Sequence, residues 1–170
     1  MLIRSPCRIR RACACEAPAA VAILREAARW SSSIGPPIWA ASGFDVTTFV
    51  SAAQAGELVL GYQDTTPVAC MLLQRSDETY WPFDPDGEAH YLHKLAVRRI
   101  AAGKGWLGRL VRWAHEDAKR AGARYLRLDT LDRPKLRSMY ENLGFRFVDS
   151  FSEHQYGETI VRLELPIYPP

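Results

Sequence analysis

The feature that most constrains this chain is a group of three glycines between an apolar segment and an amphipathic one. Gly103, Gly105 and Gly108 follow a predicted strand, His90 to Val97, and open a predicted helix from about Gly105 to Ala121. The first amides of a helix have no partner within it, and the helix dipole adds positive potential there. Glycine has no Cβ, so an anion can approach these amides closely. The segment predicts a site for a phosphate-bearing ligand, with a tightly packed helix start as the alternative.

The same segment matches G-x-G-x-x-G, the fingerprint of dinucleotide-binding domains. Asp129 ends the next predicted strand, where a ribose-binding carboxylate would stand. However, residues 98–102 separate the first strand from Gly103, whereas the fingerprint turns tightly off its strand. The chain after Asp129 is also short for a second mononucleotide-binding half, and the preceding strands are joined by a short turn. A dinucleotide-binding module is therefore the weaker alternative.

Periodicity predicts mixed strands and helices along the rest of the chain. Strands are predicted at 7–15, 57–63, 68–74, 90–97, 125–130, 145–150 and 159–165, and helices at 17–30, 46–55, 105–121 and from 134 to before 144. Residues 31–44 and 75–87 are predicted loops. A chain of 170 residues with this order and no repeats predicts one α/β domain over residues 1–170.

Composition excludes several classes of function. Hydrophobic residues make up 48% and charged residues 24%, as in soluble globular proteins. No apolar run approaches the ~20 residues that span a bilayer, and arginines interrupt the N-terminus where a signal peptide would be apolar. The net charge of +3 is small and its arginines are scattered, which argues against nucleic-acid binding. We expect a cytoplasmic protein that binds neither nucleic acid nor membranes.

The four cysteines offer no second pair at metal-ligand spacing, so no metal site is expected. They are Cys7, Cys13, Cys15 and Cys70. We interpret them as small buried residues of a protein in a reducing compartment.

From His90 onward the chain resembles the GNAT acetyltransferases. The resemblance rests on three segments in order, LAVR at 95–98, AGKG at 102–105 and PKLRSMYENLGF at 134–145. The first half fits only in its order of strand, two helices and hairpin. The resemblance implies an α/β fold of the α+β kind, in which helices flank a mixed twisted sheet with splayed central strands. It also implies an acetyl-CoA-dependent N-acetyltransferase in which a primary amine, on a small molecule, attacks the thioester directly.

The resemblance assigns cofactor-binding residues as well. The backbone of Leu95, Ala96 and Val97 would pair with pantetheine. The amides of the glycine loop would hold the pyrophosphate, and two basic residues would lie near the cofactor; these residues are Gly103, Lys104, Gly105, Gly108, Arg133 and Lys135.

The chain departs from the family pattern at three positions. Ala102 stands where the family has Arg or Gln, Leu107 where it has Gly or Ala, and Arg133 where many members carry a cofactor-binding Asn. Arg133 brings charge near the phosphates in exchange. These departures motivate a second alternative, a non-catalytic acyl-CoA-binding or regulatory domain.

Acetyl transfer needs a proton acceptor, because an alkylamine with a pKa near ~10.4 arrives protonated. His93 is the predicted base: strand alternation places it on the same face as Leu95, and histidine works near neutral pH. The resemblance implies the same, since arylalkylamine acetyltransferases carry a histidine at this place. A hydrogen-bonded structural histidine is the alternative. Tyr91 shares the predicted face and is a candidate water relay, whereas His90 points to the other face.

The departing thiolate needs a hydrogen-bond donor or an acid. Tyr140 matches the tyrosine that the family places near the cofactor sulfur; a core tyrosine on a stripe with Leu136 and Leu143 is the alternative.

The acceptor amine is not readable from sequence. The loop after residue 74 interleaves carboxylates with aromatic side chains and would suit a cationic or aromatic amine, with a solvated loop as the alternative. These residues are Asp77, Glu78, Tyr80, Trp81, Phe83, Asp84, Asp86 and Glu88. Glu88 is an outside candidate for the base, and a homodimer is possible.

Overall fold

The computed structural model describes residues 7–153 and 157–168. Its helices are α1 Ala17–Ile34, α2 Val46–Gln54, α3 Trp106–Arg120 and α4 Pro134–Glu141. Its strands are β1 Cys7–Arg11, β2 Leu58–Gln63, β3 Thr66–Gln74, β4 Ala89–Val97, β5 Tyr125–Leu131, β6 Arg146–Glu153 and β7 Glu158–Pro166. They form a mixed sheet in the order β1-β2-β3-β4-β5-β7-β6, with β4 and β5 parallel. The predicted fold class is confirmed.

The chain divides into two compact units, residues 1–72 with 94–110 and residues 73–93 with 111–170. The single domain over residues 1–170 stays a prediction. Within the described ranges, no helix is both long enough and apolar enough to cross a bilayer.

The first unit is built on the antiparallel strands β1, β2 and β3. The apolar faces of α1 and α2 pack with β2 in one core, which includes the fully buried Leu24, Leu58 and Leu60. Helix α1 continues through Ile34, so the predicted loop from Ser31 is wrong at its start. The hydroxyls of Ser31, Ser32 and Ser33 donate to carbonyls three or four residues earlier, which accommodates serines inside the helix.

The predicted first strand is too long, since β1 ends at Arg11. The chain then enters a short 3₁₀ helix, Ala14–Glu16, and the amide of Cys13 donates to the Glu16 carboxylate at 3.0 Å. The predicted strand is therefore wrong at Cys13 and Cys15. These two residues form a disulfide and are exposed, and Cys7 is exposed as well. The expectation of four buried thiols is correct only for Cys70.

A hydrogen-bonded charged network links β1, the 3₁₀ helix and β2. Arg10 donates two hydrogen bonds to the Glu16 carboxylate, at 2.6 and 2.7 Å, and Tyr62 donates a third from its hydroxyl. These bonds, the one from Arg10 foremost, hold the pKa of Glu16 at about 2 instead of 4.5. Glu16 therefore stays ionised in the folded state at every pH above that value.

We expect Glu16→Gln to lower the free energy of unfolding at pH 7 by about 1–3 kcal/mol, because it removes charge-assisted hydrogen bonds. The folded pKa is depressed, so the ionised carboxylate stabilises the fold fully above about pH 4.5 and loses its contribution as pH falls from about 4.5 to 2. Urea unfolding at pH 7 and pH 2.5 measures this. The deficit of the variant should shrink at the lower pH; an equal deficit at both would mean that Glu16 acts through packing alone.

The second unit contains the parallel pair β4–β5 and the antiparallel strands β7 and β6 beyond it. Strand β4 pairs with β5 only where Ala89–Tyr91 faces Tyr125–Arg127. From Leu128 to Leu131, the pairing of β5 is with β7 alone. The central strands are thus splayed, as the family resemblance implies. Trp81, Ala89 and Tyr91 form a small core beside the paired end.

Candidate active site

The glycine loop after β4 has the backbone that an anion site requires. Gly103 and Gly105 adopt φ values of +72° and +76°, in the left-handed region where a Cβ is strained. The Lys104 amide donates to the Ala101 carbonyl at 3.3 Å, and the first bond of α3 runs from the Arg109 amide to the Gly105 carbonyl. In the described chain no carbonyl accepts from the amides at 103 and 105–108. Those amides are available to a ligand.

Packing within the first unit holds this loop at both ends. A Cβ on Gly61 would lie 2.7 Å from a ring carbon of Trp106, so the absence of a side chain there lets the first residue of α3 sit against β2. On the other side, the Glu26 carboxylate accepts from Arg98 Nε at 2.9 Å and from the Arg99 amide at 2.8 Å. Hydrogen bonds to Glu26 thus hold the start of the loop, and the packing of Trp106 against Gly61 holds its end.

Strand β4 is irregular at Lys94, whose φ is +53°. Such a residue in a strand interrupts the alternation of side chains between the two faces. Counting by two across Lys94 is therefore invalid, and the reason used to place His93 on the same face as Leu95 is wrong. Leu95 and Val97 are half-buried, whereas Ala96 is buried.

His93 lies between two carboxylates of the second unit. Its Nε2 is 3.4 Å from Asp77 Oδ2, and its Nδ1 is 3.6 Å from Asp129 Oδ1. The three side chains are only 18%, 6% and 14% exposed. A proton bound by the ring would therefore face a carboxylate at either nitrogen, with little water to screen it.

Each member of this cluster is positioned by a different local structure. Asp129 is on β5 just after its pairing with β4 ends, which leaves space for the His93 ring. Asp77 begins the loop after β3, and its Oδ1 accepts from the amides of Thr79 and Tyr80 at 3.0 and 2.9 Å. Burial raises the pKa of Asp77, but the interaction with His93 and the amide bonds outweigh it, and the pKa lies below its usual range.

Asp77, His93 and Asp129 each offer an atom within 4.8 Å of the others, which is close enough for a shared cation. The orientation of the ring suits a proton better, because its two nitrogens face different carboxylates and one ion would use only one of them. Sequence reasoning missed Asp77 as a partner of His93, and considered Asp129 only as a ribose ligand. The signal was weak, since neither lies near His93 in sequence.

Tyr140 is near the same cluster. It is half-buried on α4, and its ring contacts Phe145 edge-on with centroids 5.9 Å apart. Burial, and then the charge of Asp129, raise the pKa of its phenol to about 12. None of the residues of α4 is fully buried, so the predicted stripe with Leu136 is only partly covered. His93 and Tyr140 thus share Asp129 as a neighbour.

The remaining predicted site residues lie outside the His93 cluster, and most of them pair with other side chains. Arg133 pairs with Glu158 at 2.6 Å, and Lys135 is exposed in the first turn of α4. The hydroxyl of the buried Tyr91 donates to Asp84, which removes it as a free water relay. The other two candidates also have charged partners. His90 Nδ1 lies 3.5 Å from an Asp117 carboxylate oxygen, and the Glu88 carboxylate lies 3.5 Å from the Arg124 guanidinium.

Comparison of the sequence with known proteins identifies the family of this chain. Residues 24–145 match the model of the acetyltransferase (GNAT) family. The uncharacterised N-acetyltransferase YesJ of Bacillus subtilis (strain 168) is 27% identical over 154 residues, which cover 85% of this chain and 86% of that protein.

Solved structures share the fold. A GNAT acetyltransferase from Listeria monocytogenes superposes with a TM-score of 0.75 at 21% identity, over 94% of this chain and 95% of that one. The putative acetyltransferase YncA from Salmonella typhimurium, solved with acetyl-CoA, gives 0.74 at 14% identity, over 98% and 96%. Because the family model spans more than half of the sequence, the chain belongs to the GNAT family of acetyltransferases.

Proposed function

We propose that this protein is an acetyl-CoA-dependent N-acetyltransferase in which a primary amine attacks the thioester directly and His93 takes the amine proton. The observation that carries the proposal is the position of His93 between Asp77 and Asp129, on the strand that leads into the glycine loop. A half-buried histidine on this strand, with a carboxylate beside each ring nitrogen to orient it, is placed to act as a general base.

The glycine loop supplies the anion site for the cofactor. The unpaired amides at 103 and 105–108 fit a pyrophosphate, and the dipole of α3 adds positive potential there. Leu95, Ala96 and Val97 would pair with pantetheine through their backbone, while Arg133 and Lys135 would add positive charge. The Lys104 amide contributes less than predicted, because it already donates to Ala101.

In the proposed reaction the amine loses two protons and the thiolate gains one. The ammonium of the acceptor gives one proton to His93, directly or through water, and His93 passes it to solvent before the amine lone pair attacks the thioester carbon. The new C–N bond forms, the nitrogen loses its second proton to the now neutral His93, and the C–S bond breaks. The departing thiolate accepts a hydrogen bond from Tyr140 and is then protonated, with the proton of His93 returned through solvent, so that the products are an acetamide and coenzyme A.

The test is steady-state release of the coenzyme A thiol from acetyl-CoA with a panel of primary amines. Release that depends on an amine supports the proposal. Tight acetyl-CoA binding without release for any amine would favour a non-catalytic acyl-CoA-binding domain, and binding of a nicotinamide dinucleotide would favour the dinucleotide-binding alternative. Dialysis against EDTA should leave turnover unchanged, because the proposed reaction needs no metal ion.

We expect Tyr140→Phe to lower kcat by about tenfold or more with little change in Tm. With a pKa of about 12, the phenol stays protonated at neutral pH and donates a hydrogen bond to the thiolate without giving up its proton. Phenylalanine keeps the ring against Phe145. Coenzyme A release measures the effect, and Tyr125→Phe, which removes a hydroxyl from another half-buried tyrosine, is the control. Full turnover in the Tyr140 variant would return this residue to a packing role.

The family model spans parts of both compact units, which supports the proposal that residues 1–170 form one N-acetyltransferase domain. A cytoplasmic location and a homodimer stay predictions.

A further inference from the structure

Helix α1 contacts the chain between β4 and the glycine loop through two side chains. The Glu26 carboxylate accepts from Arg98 Nε at 2.9 Å and from the Arg99 amide at 2.8 Å. One helical turn later, the Trp30 ring stacks on the Arg99 guanidinium, whose carbon lies 4.2 Å from the ring centre. Residues four apart share a face of a helix, so Glu26 and Trp30, here called the α1 pair, hold the same two residues from one side.

The Arg99 amide matters because it begins a short 3₁₀ helix, Arg99–Ala101, directly before the glycine loop. The internal bonds of this helix begin at the Arg98 carbonyl, and the Arg99 amide has no partner within it. Glu26 satisfies this amide from another element, while the Arg98 amide donates to the Val68 carbonyl of β3 at 2.8 Å. These bonds orient the 3₁₀ helix, which sets the direction in which the chain enters the glycine loop.

The Glu26 carboxylate is ionised when it accepts these bonds. Burial raises its pKa, but the hydrogen bonds from the Arg99 amide and from Arg98, together with the charges of Arg98 and Arg29, outweigh burial, and the pKa lies below its usual range. Hydrogen bonds to an ionised acceptor are stronger than those between neutral groups. At neutral pH the α1 pair thus combines two charge-assisted hydrogen bonds with one stacked guanidinium.

Helix α1 does not need these two side chains for its own packing. Another face of the helix lies in the core of the first unit, where Ala20, Leu24 and Ala28 are fully buried. Glu26 is half-buried and Trp30 is 40% exposed. Removing either side chain should therefore change the free energy of unfolding little, and the effect should fall on the residues that the α1 pair contacts.

The glycine loop depends on contacts at its ends because it makes few of its own. Residues 102–105 are exposed, and a Cβ built at Gly103 or Gly105 meets no atom within 4 Å. In the described part of the chain, the amides at 103 and 105–108 donate to no carbonyl. A loop that is already arranged for its ligand binds more tightly, because less ordering is needed on binding.

We propose that Glu26 and Trp30 are positioning residues for the cofactor, which orient the 3₁₀ helix so that the amides of the glycine loop face one point before the pyrophosphate binds. The inference rests on the proposed function, in which this loop binds acetyl-CoA. Both residues act through Arg98 and Arg99 and need no contact with the cofactor. They therefore affect the affinity for acetyl-CoA and leave the chemical step unchanged.

The test measures acetyl-CoA binding by isothermal titration calorimetry for Glu26→Gln, Trp30→Leu and the variant that combines them. Each single change should weaken binding about threefold and the combined variant about tenfold, because contacts that are partly exposed contribute modestly. Trp30→Phe keeps a ring against Arg99 and should bind like the parent. Glu116→Gln removes an exposed carboxylate from α3 and is the matched control for the lost charge. In turnover, the combined variant should raise KM for acetyl-CoA by a similar factor and keep kcat.

Hydrogen exchange of the protein without acetyl-CoA measures the positioning directly. In the combined variant the amides of residues 99–108 should exchange faster than in the parent, because the 3₁₀ helix has lost its contacts with α1. The amides of α1 should exchange as before, and Tm should change little.

Parent-like acetyl-CoA affinity in the combined variant would overturn this inference, and so would a loss of affinity that appears only together with a lower Tm. A lower kcat at saturating acetyl-CoA would overturn it as well, because positioning of the loop affects binding alone. A folded parent protein that does not bind acetyl-CoA would contradict the proposed function itself. A parent that binds acetyl-CoA and a combined variant that binds it equally well would contradict this inference alone.

Discussion

Replacing His93 by Gln should lower kcat by about 100-fold or more at neutral pH, the usual contribution of a general base. Glutamine keeps a polar side chain between Asp77 and Asp129 but cannot take up a proton. It is a better choice than alanine, which would leave two buried carboxylates facing each other without a donor between them. The affinity for acetyl-CoA should be nearly unchanged, because the glycine loop is not altered.

The pH dependence of the rate distinguishes a base from a structural histidine. The variant depends on the small fraction of amine that is already neutral, so its rate should keep rising as pH approaches the amine pKa of ~10.4. The loss relative to the parent should therefore be largest near neutral pH and smaller in alkali. His115→Gln, at a partly exposed histidine of α3, is the matched control and should retain full turnover. If the pH–rate profiles of the parent and the His93 variant overlay, another group or solvent takes the proton.

The carboxylates beside His93 are positioning residues in this scheme. Asp77→Asn and Asp129→Asn each keep the size of the side chain and remove one charge from the imidazolium that forms. Each should lower kcat by less than His93→Gln does, and each should change the pH–rate profile.

Replacing Gly105 by Val should weaken acetyl-CoA binding by about tenfold or more. The φ of +76° is strained for a β-branched residue by about 1–2 kcal/mol, so the loop must change its path and its free amides lose their common direction. No atom lies within 4 Å of a Cβ built at Gly105, so the effect on the empty protein is backbone strain and not a clash. Calorimetry with acetyl-CoA, together with a thermal melt, measures both quantities.

Gly122 provides a matched control for this variant. It follows α3 at φ +79°, and a Cβ built there also meets no atom within 4 Å. Gly122→Val should therefore cost similar stability while leaving acetyl-CoA affinity unchanged. If both variants bind acetyl-CoA like the parent, the glycine loop does not hold the pyrophosphate.

Local patterns predicted most of the secondary structure, because they depend on residues within one or two turns. The predicted bounds of β2, β5 and α3 were correct to within a few residues. The glycine loop was recognisable for the same reason: a left-handed backbone and a helix start are local requirements that favour Gly103 and Gly105. Predictions were wrong where a local rule had a local exception, as for the serine hydroxyls that bond within α1 and for Lys94 in β4.

The cluster of Asp77, His93 and Asp129 could be recognised only from the tertiary structure. Sequence pointed to His93 and Tyr140 by resemblance, but no short-range pattern indicated that Asp77 and Asp129 would flank the histidine. Their meeting depends on where β4 and β5 stop pairing and on the direction of the loop after β3, which the register of distant strands decides. Sequence by itself thus determined the elements and the glycine loop of this protein. Tertiary structure decided which charges meet, because burial and strand pairing bring together residues that are far apart in the chain.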